Sequence, residues 1–305
     1  AFVYTMGCVD PITGHLVVVG NTTTENGMTW SYEPRSETWT DGYDFGANQN
    51  LYGGFAAMMA HPDVPGRVLL FSGAGSLAAT DDQVAYYSDD HGATWNVYAR
   101  AYASDGLSAY ARSVAGAPGV PWLLYDGAYL LSSSDAGQNW DRVSGQLSVT
   151  IDQKSFTSTV AARKGGGYVH AYVRAADGVP CVRLLPTAGH ATENATEIEV
   201  DAAVGRDADY LSVCVDECGV IWMITVADND PGRVRLYGSV DEGVTWSRFL
   251  WGPLAFEDVG YIDASFASLL ASNGELYLIA NAVGQTDGEV HLHVLLSQPN
   301  DVGER

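Results

Sequence analysis

Apolar residues in this chain fall in short runs separated by polar, glycine-bearing turns, and the runs recur in pairs. Six times a strand-like segment, a polar turn with Gly and a more apolar segment follow one another. The first copy runs from Gly7-Cys8-Val9-Asp10 through Gly14 to Leu16-Val17-Val18-Val19. The third runs from Arg112-Ser113-Val114-Ala115 through Gly119 to Trp122-Leu123-Leu124-Tyr125, and the sixth from Ala267-Ser268-Leu269-Leu270 through Gly274 to Leu276-Tyr277-Leu278-Ile279. No long window holds the 3.6-residue period of an amphipathic helix, so the runs predict strands. The turn glycines, Gly14, Gly66, Gly119, Gly167, Gly219 and Gly274, have a mean spacing of 52 residues. Four short strands with their turns fill about 50 residues, one blade of a propeller. The pattern therefore predicts an all-β, six-bladed β-propeller over residues 1–305, as a single domain.

A second repeat lies on top of the first. Ser88-Asp89-Asp90-His91-Gly92-Ala93-Thr94-Trp95 returns as Ser133-Ser134-Asp135-Ala136-Gly137-Gln138-Asn139-Trp140 and as Ser239-Val240-Asp241-Glu242-Gly243-Val244-Thr245-Trp246. Thr23-Thr24-Glu25-Asn26-Gly27-Met28-Thr29-Trp30 is a fourth version, with Glu25 for the Asp and Gly27 and Trp30 in place. Chance would supply on the order of 0.01 such matches, so the octet is a true repeat. Its acid can accept backbone N–H groups of its own turn. Its Gly can take φ > 0, and its Trp can fill the space between neighbouring sheets. The expected role is a hairpin staple. The fourth and sixth repeats lack a good copy; Pro186–His190 and Ser297–Asp301 stand there instead.

These octets resemble the Asp-box repeats of the sialidase (neuraminidase) superfamily. The resemblance implies a sialidase-like propeller whose boxes sit at corresponding corners, away from the ligand. It does not extend to that family's catalytic residues. Ala1-Phe2-Val3-Tyr4 stands where an Arg-bearing opening segment would, Arg112 is the one Arg at a comparable strand entry, and Ala264-Ser265-Phe266 occupies the place of the family's Tyr, with Tyr261 a few residues early. A sialidase needs three arginines converging on a sugar carboxylate.

Charge narrows the partners. The 305 residues carry 37 acidic and 15 basic side chains, a net charge of −22, and Lys154 and Lys164 are the only lysines. Such a surface repels nucleic acid and anionic lipid. No apolar run reaches the ~18 residues of a membrane span, so no membrane insertion is expected. An extracellular or particle-surface location suits the composition. Cys214 and Cys218 flank a turn and could pair across it, whereas Cys8 and Cys214, at equivalent repeat positions, read as small buried apolar residues.

The ends raise the question of closure. The first octet begins only nine residues after Gly14, too soon for two full strands before it. Either that middle hairpin is stunted, or Ala1–Asp10 is a second strand and the innermost one comes from elsewhere. The chain also stops before a fourth strand of the sixth repeat, which predicts an excised piece with flanking domains or assembly partners.

In a propeller, the connections from strand 4 to the next strand 1, and from strand 2 to strand 3, share one face. Here they carry Tyr43, Asp105, Tyr110, Arg112, Asp152, Asp209, Tyr210, Glu257, Tyr261 and Asp263, against few cations beyond Lys154, Arg174 and Arg206. Tyr43, Tyr110, Arg112, Asp152, Tyr210, Tyr261 and Asp263 are the ligand-binding candidates. If the chain is an enzyme, Asp105, Glu257 and Asp209 are the candidates for an acid/base carboxylate pair. The favoured function is a non-catalytic module binding a glycan or a protein. Rival readings are a sialidase-like glycoside hydrolase and a structural propeller in a multi-protein particle. No cofactor is expected; Asp228-Asn229-Asp230 leaves Ca²⁺ open, though without the length or the Glu of an EF-hand. His291 and His293 lack an identifiable third ligand and read as structural, so no metal is expected.

Overall fold

A computed structural model describes residues 5–21, 27–45, 56–72, 84–126 without 101–112, 129–144, 158–188, 195–201, 210–226, 233–253, 255–256, 260–272, 274–282 and 290–297. These residues form six sheets, each contiguous in sequence. Blade 1 holds β1 (Thr5–Val9), β2 (Leu16–Asn21), β3 (Gly27–Glu33) and β4 (Thr38–Asp44). Blade 2 holds β5 (Ala56–Ala60), β6 (Val68–Ser72), β7 (Val84–Ser88) and β8 (Asn96–Arg100). Blade 3 holds β9 (Ser113–Ala115), β10 (Trp122–Tyr125), β11 (Leu130–Ser133) and β12 (Asp141–Arg142). Blade 4 holds β13 (Ser158–Ala162), β14 (Tyr168–Val173), β15 (Pro180–Leu185) and β16 (Glu197–Glu199). Blade 5 holds β17 (Tyr210–Val215), β18 (Ile221–Val226), β19 (Arg233–Ser239) and β20 (Ser247–Pro253). In the sixth sheet β21 (Ala255–Phe256) pairs only with the start of β22 (Gly260–Ser272), which continues into β23 (Glu275–Ala282) and β24 (Val290–Ser297).

The first strands β1, β5, β9, β13, β17 and β22 neighbour one another in turn, and β22 returns to β1, so the sheets close a six-bladed propeller. Inner strands have edges that need partners. Serines meet part of this need: Ser113 Oγ accepts Val160 N–H across blades 3 and 4 at 3.0 Å, and Ser212 Oγ accepts Leu269 N–H across blades 5 and 6 at 3.0 Å. Second strands lie between two neighbouring blades and are buried on both faces. This explains why Leu16–Val19, Trp122–Tyr125 and Tyr168–Val173 read as continuous apolar runs rather than alternating ones. All six turn glycines of the 52-residue repeat adopt positive φ, from 68° at Gly119 to 89° at Gly219, as the tight β1–β2-type turn requires.

Three of the octets fold alike, at the corner between third and fourth strands. In blade 2, Asp90 accepts the Thr94 N–H at 2.8 Å and the Thr94 hydroxyl at 2.7 Å. Ser88 Oγ accepts Gly92 N–H at 2.7 Å, and Trp95 Nε1–H donates to Gly92 O at 3.1 Å. Asp135 with Asn139 and Asp241 with Thr245 repeat the pattern, as do Trp140 and Trp246 on the carbonyls of Gly137 and Gly243. Each octet glycine presses on the preceding blade. A Cβ on Gly137 would stand 2.9 Å from Phe71 Cζ, and one on Gly243 2.8 Å from Leu184 Cδ2. The residue before each glycine (His91, Ala136, Glu242) takes φ between 55° and 59° without being glycine.

The fourth octet is not their equivalent. Gly27 is the first residue of β3 and Trp30 lies inside that strand, so the segment spans the connection between second and third strands, at the opposite end of the blade; Glu25 lies outside the described residues. A Glu-Asn-Gly turn serves any hairpin, which is why the pattern alone placed it wrongly. The true corner of blade 1 is Glu33–Thr38, where Ser36 Oγ–H donates to Glu33 Oε2 at 2.8 Å and Glu37 has φ of 53°. Both readings of the first repeat are thereby settled: β1 is an innermost strand and blade 1 has its full four. Closure onto blade 6 is direct. Leu16 and Val18 pack with Leu270, Tyr277 and Ile279, and Ser272 Oγ–H donates to Gly14 O at 2.9 Å.

Candidate functional site

A channel of about 600 Å³ runs along the ring axis between the first strands of all six blades. Its wall is built of small apolar residues and hydroxyls, with Arg163, Lys164 and Asp216 on the side of the first-to-second-strand turns. On the opposite side fourth strands hand over to first strands. Asp105, Asp209, Glu257, Tyr110, Arg112 and Asp152 lie outside the described residues, as do Lys154, Arg206 and Asp228–Asp230. Tyr210 opens β17 opposite Val226, Tyr261 pairs with Ala255, and Asp263 pairs with Asn281 within β22. His291 and His293 alternate in β24 opposite Ala280 and Leu278.

Tyr43 is the predicted ligand residue whose side chain is described. It stands near the end of β4, 40% exposed, with its N–H donated to Thr29 Oγ1 at 2.8 Å. Its ring meets Phe45 edge-on at 5.0 Å, and Phe45 is buried against Trp95 and Tyr86, each 5.6 Å away. An exposed aromatic ring is thus held in place by a buried one at the seam of blades 1 and 2.

Arg174 is placed differently from a ligand-binding cation. At the end of β14 its guanidinium bonds to Asp177, Glu197 and Glu199 at 2.6–2.9 Å, so its donors are spent within blade 4. Glu197 also receives the Tyr172 hydroxyl and Arg183 Nη2. Deeper in the same seam, Ser158 Oγ and His170 Nε2 lie 2.8 Å apart. The pair looks like a nucleophile with its base, but it is sealed between blades 3 and 4. Burial, helped by the neighbouring Arg183 charge, pushes the imidazole down to about 3, too weakly basic to activate a hydroxyl at neutral pH.

Among the described residues no group of three or more His, Cys, Asp or Glu is placed to hold a metal, and no helix is long and apolar enough to cross a membrane. All four cysteines are free, so Cys214 and Cys218 are not paired. Cys8 and Cys181 are buried, Cys214 is half-buried and Cys218 exposed. Burial raises the Cys8, Cys181 and Cys214 thiols, Cys181 to about 12. A thiol reagent is therefore expected to label one cysteine rapidly in the folded protein and the other three only on unfolding; Cys218→Ser should remove the fast phase.

Sequence reading missed Arg235 and Thr225, buried polar residues on adjacent strands of blade 5. The available signal was an Arg inside an apolar alternation, Val234-Arg235-Leu236-Tyr237.

No protein-family model and no curated protein sequence matches the chain. Solved structures share its fold. An α-L-arabinanase of Penicillium chrysogenum, complexed with arabinobiose, aligns at TM-score 0.62 and 14% identity, over 96% of this chain and 93% of that one. The fucose-specific lectin from Aleuria aurantia aligns at TM-score 0.59 and 10% identity, over 97% and 96%. A Trypanosoma rangeli sialidase, complexed with the inhibitor DANA, aligns at TM-score 0.57 and 12% identity, over 96% of this chain and 54% of that one. At these identities the likeness is one of fold. It places the chain among β-propellers that include carbohydrate-binding lectins and glycoside hydrolases.

Proposed function

We propose that this chain is a non-catalytic glycan-binding module. The observation that carries the reading is Tyr43. An exposed ring braced edge-on by buried Phe45 is a rigid apolar platform, and a sugar's C–H face can cover it at little ordering cost. Its position beside the hand-over from blade 1 to blade 2 puts it on the side where the sequence clusters tyrosines and acids. The end-to-end match with a fucose-specific lectin supports the reading, since nearly the whole of both chains is shared. The anionic surface favours a neutral glycan over an acidic one.

A neutral-glycan array, followed by titration of the best hit, tests this. Tyr43→Ala is expected to weaken binding by about five- to tenfold, roughly 1 kcal/mol, while Tyr43→Phe keeps it. Affinity unchanged in Tyr43→Ala would remove the platform from the site. A fluorogenic glycoside panel run alongside is expected to show no turnover. Turnover abolished by Asp105→Asn or Glu257→Gln would replace the lectin reading with hydrolysis by a carboxylate pair.

A further inference from the structure

Trp39 stands 45% exposed on β4, the outer strand of blade 1. It is the register partner of Tyr32 on β3, and Tyr32 packs on the cluster that blade 1 shares with blade 6. The Trp39 and Tyr32 ring centroids lie 5.0 Å apart at 43°. Behind Tyr32 the buried ring of Tyr277, from blade 6, meets it edge-on at 6.5 Å. The exposed indole therefore rests on a braced aromatic stack at the rim of the seam between blades 1 and 6.

Carboxylates reach this stack from both blades. Burial raises the Tyr32 phenol, and the charges of Glu37 and Glu275 raise it further. Glu37 is exposed at the corner of blade 1; Glu275 opens β23 and accepts the Tyr277 hydroxyl. Among the described residues neither carboxylate is paired with a cation. Arg35, in the same corner, is likewise without an ion pair among them, and its charge acts on His15. Blades 2, 3 and 4 cover aromatic rings with arginines of their own. Arg67 stands over Tyr87 at 5.4 Å, Arg142 over Tyr129 at 4.6 Å and Arg183 over Tyr172 at 4.8 Å. Among the described residues no cation covers Trp39, although indole is the ring that attracts one most strongly.

We propose that Trp39, Tyr32 and Glu37 bind an arginine side chain of a basic protein partner at the rim of the seam between blades 1 and 6. A guanidinium can lie flat on the indole and still direct its edge N–H donors at a carboxylate; an ammonium has no flat face to lay there. The net charge of −22 draws such a partner in. Trp39 and Tyr43 stand toward opposite ends of β4, so this site does not rest on the glycan reading.

N-acetylarginine amide, titrated at constant ionic strength into protein with isotope-labelled tryptophan indoles, tests the site by NMR. The chain has 8 Trp, and the indole cross-peak that Trp39→Phe removes is that of Trp39. This peak alone is expected to move, and to saturate. N-acetylcitrulline amide, the neutral isostere, should leave it in place, and N-acetyllysine amide should need a concentration about two- to fivefold higher. Glu37→Gln is expected to weaken the arginine ligand about two- to fivefold. Both substituted side chains are exposed, so both variants should fold. An unmoved Trp39 peak, citrulline acting as well as arginine, or unchanged affinity in Glu37→Gln would overturn the proposal. Lysine matching arginine would overturn the choice of a guanidinium. A neutral glycan moving the Trp39 peak where arginine does not would replace the partner with a sugar, and would leave the Tyr43 platform to its own test.

Discussion

Trp140→Ala is expected to lower the unfolding free energy by about 3–5 kcal/mol, the range for removing a fully buried large side chain. Trp140 is 0% exposed. Its ring meets Phe71 edge-on at 5.5 Å, within a cluster shared by blades 2 and 3 that also holds Leu69, Trp122 and Leu131. Alanine would leave a cavity flanked by strands of two blades, which cannot collapse without shifting a sheet. It would also strip the Gly137 carbonyl of the Nε1–H bond now at 3.1 Å. Trp140→Phe should keep most of the area and lose that bond, costing about 1–2 kcal/mol. The same corner in blade 5 is the control. Trp246 makes an equal bond to Gly243 O, at 3.0 Å, but is only half-buried, so Trp246→Ala should cost clearly less. Urea unfolding followed by circular dichroism, with unchanged slopes, measures both. Equal losses at Trp140 and Trp246 would show that the hydrogen bond, rather than burial, fixes the corner.

The architecture was legible because a propeller repeats its constraints. Gly14, Gly66, Gly119, Gly167, Gly219 and Gly274 each sit where L-residues are strained, so one backbone requirement marked the period six times. The octets were legible for the same reason where the corner packs on a neighbouring blade, as at Gly137 and Gly243. Glu25-Asn26-Gly27 failed because turn chemistry is local and says nothing about which connection of a blade it closes. The ligand face was legible only as a list of tyrosines and acids by connection. Of these, Tyr43 acquires a described environment through Phe45, which belongs to the same connection, and Trp95, which comes from the next blade. Arg235 and His170 were invisible for a related reason. Strand alternation assigns a residue to a face, but only the facing blade decides whether a polar group there finds a partner. For Arg174 it does, through Asp177, Glu197 and Glu199; for Arg235 Nε and Nη1 it does not among the described residues.

Acidification should destabilise the fold well before its carboxylates titrate, and His170 is expected to be the largest single cause. The imidazole is fully buried, and burial together with the Arg183 charge holds it down to about 3. Arg183 is its cross-strand partner; Tyr125 and Tyr172 flank the ring at 5.6 and 5.3 Å, and Glu197 is engaged with Tyr172 and Arg183 rather than with it. The unfolded chain takes up this proton near pH 6.5 and the folded chain does not. Stability is therefore complete above about pH 6.5 and falls toward pH 3 by roughly 1.4 kcal/mol per pH unit, some 4–5 kcal/mol in all. His15 and His61 add to the slope, both lowered chiefly by burial, with His91 and Arg67 respectively contributing. Carboxylates enter only lower. At Asp90 and Asp135 burial acts upward, but hydrogen bonds from Thr94 and Ser88, and from Asn139 and Ser133, outweigh it; Asp241 is held to about 2 chiefly by Thr245. Their stabilisation is present above about pH 4 and lost as pH falls through their lower folded values. The interval between pH 6.5 and 4 thus isolates the histidines. His170→Leu combined with Ser158→Ala, which leaves no orphaned hydroxyl, should flatten the stability profile there by about one proton, 1.4 kcal/mol per pH unit. Urea midpoints measured across that interval decide: a slope equal to that of the wild type would mean that His170 gains its proton in the folded seam, and that the ring is reached by water between blades 3 and 4.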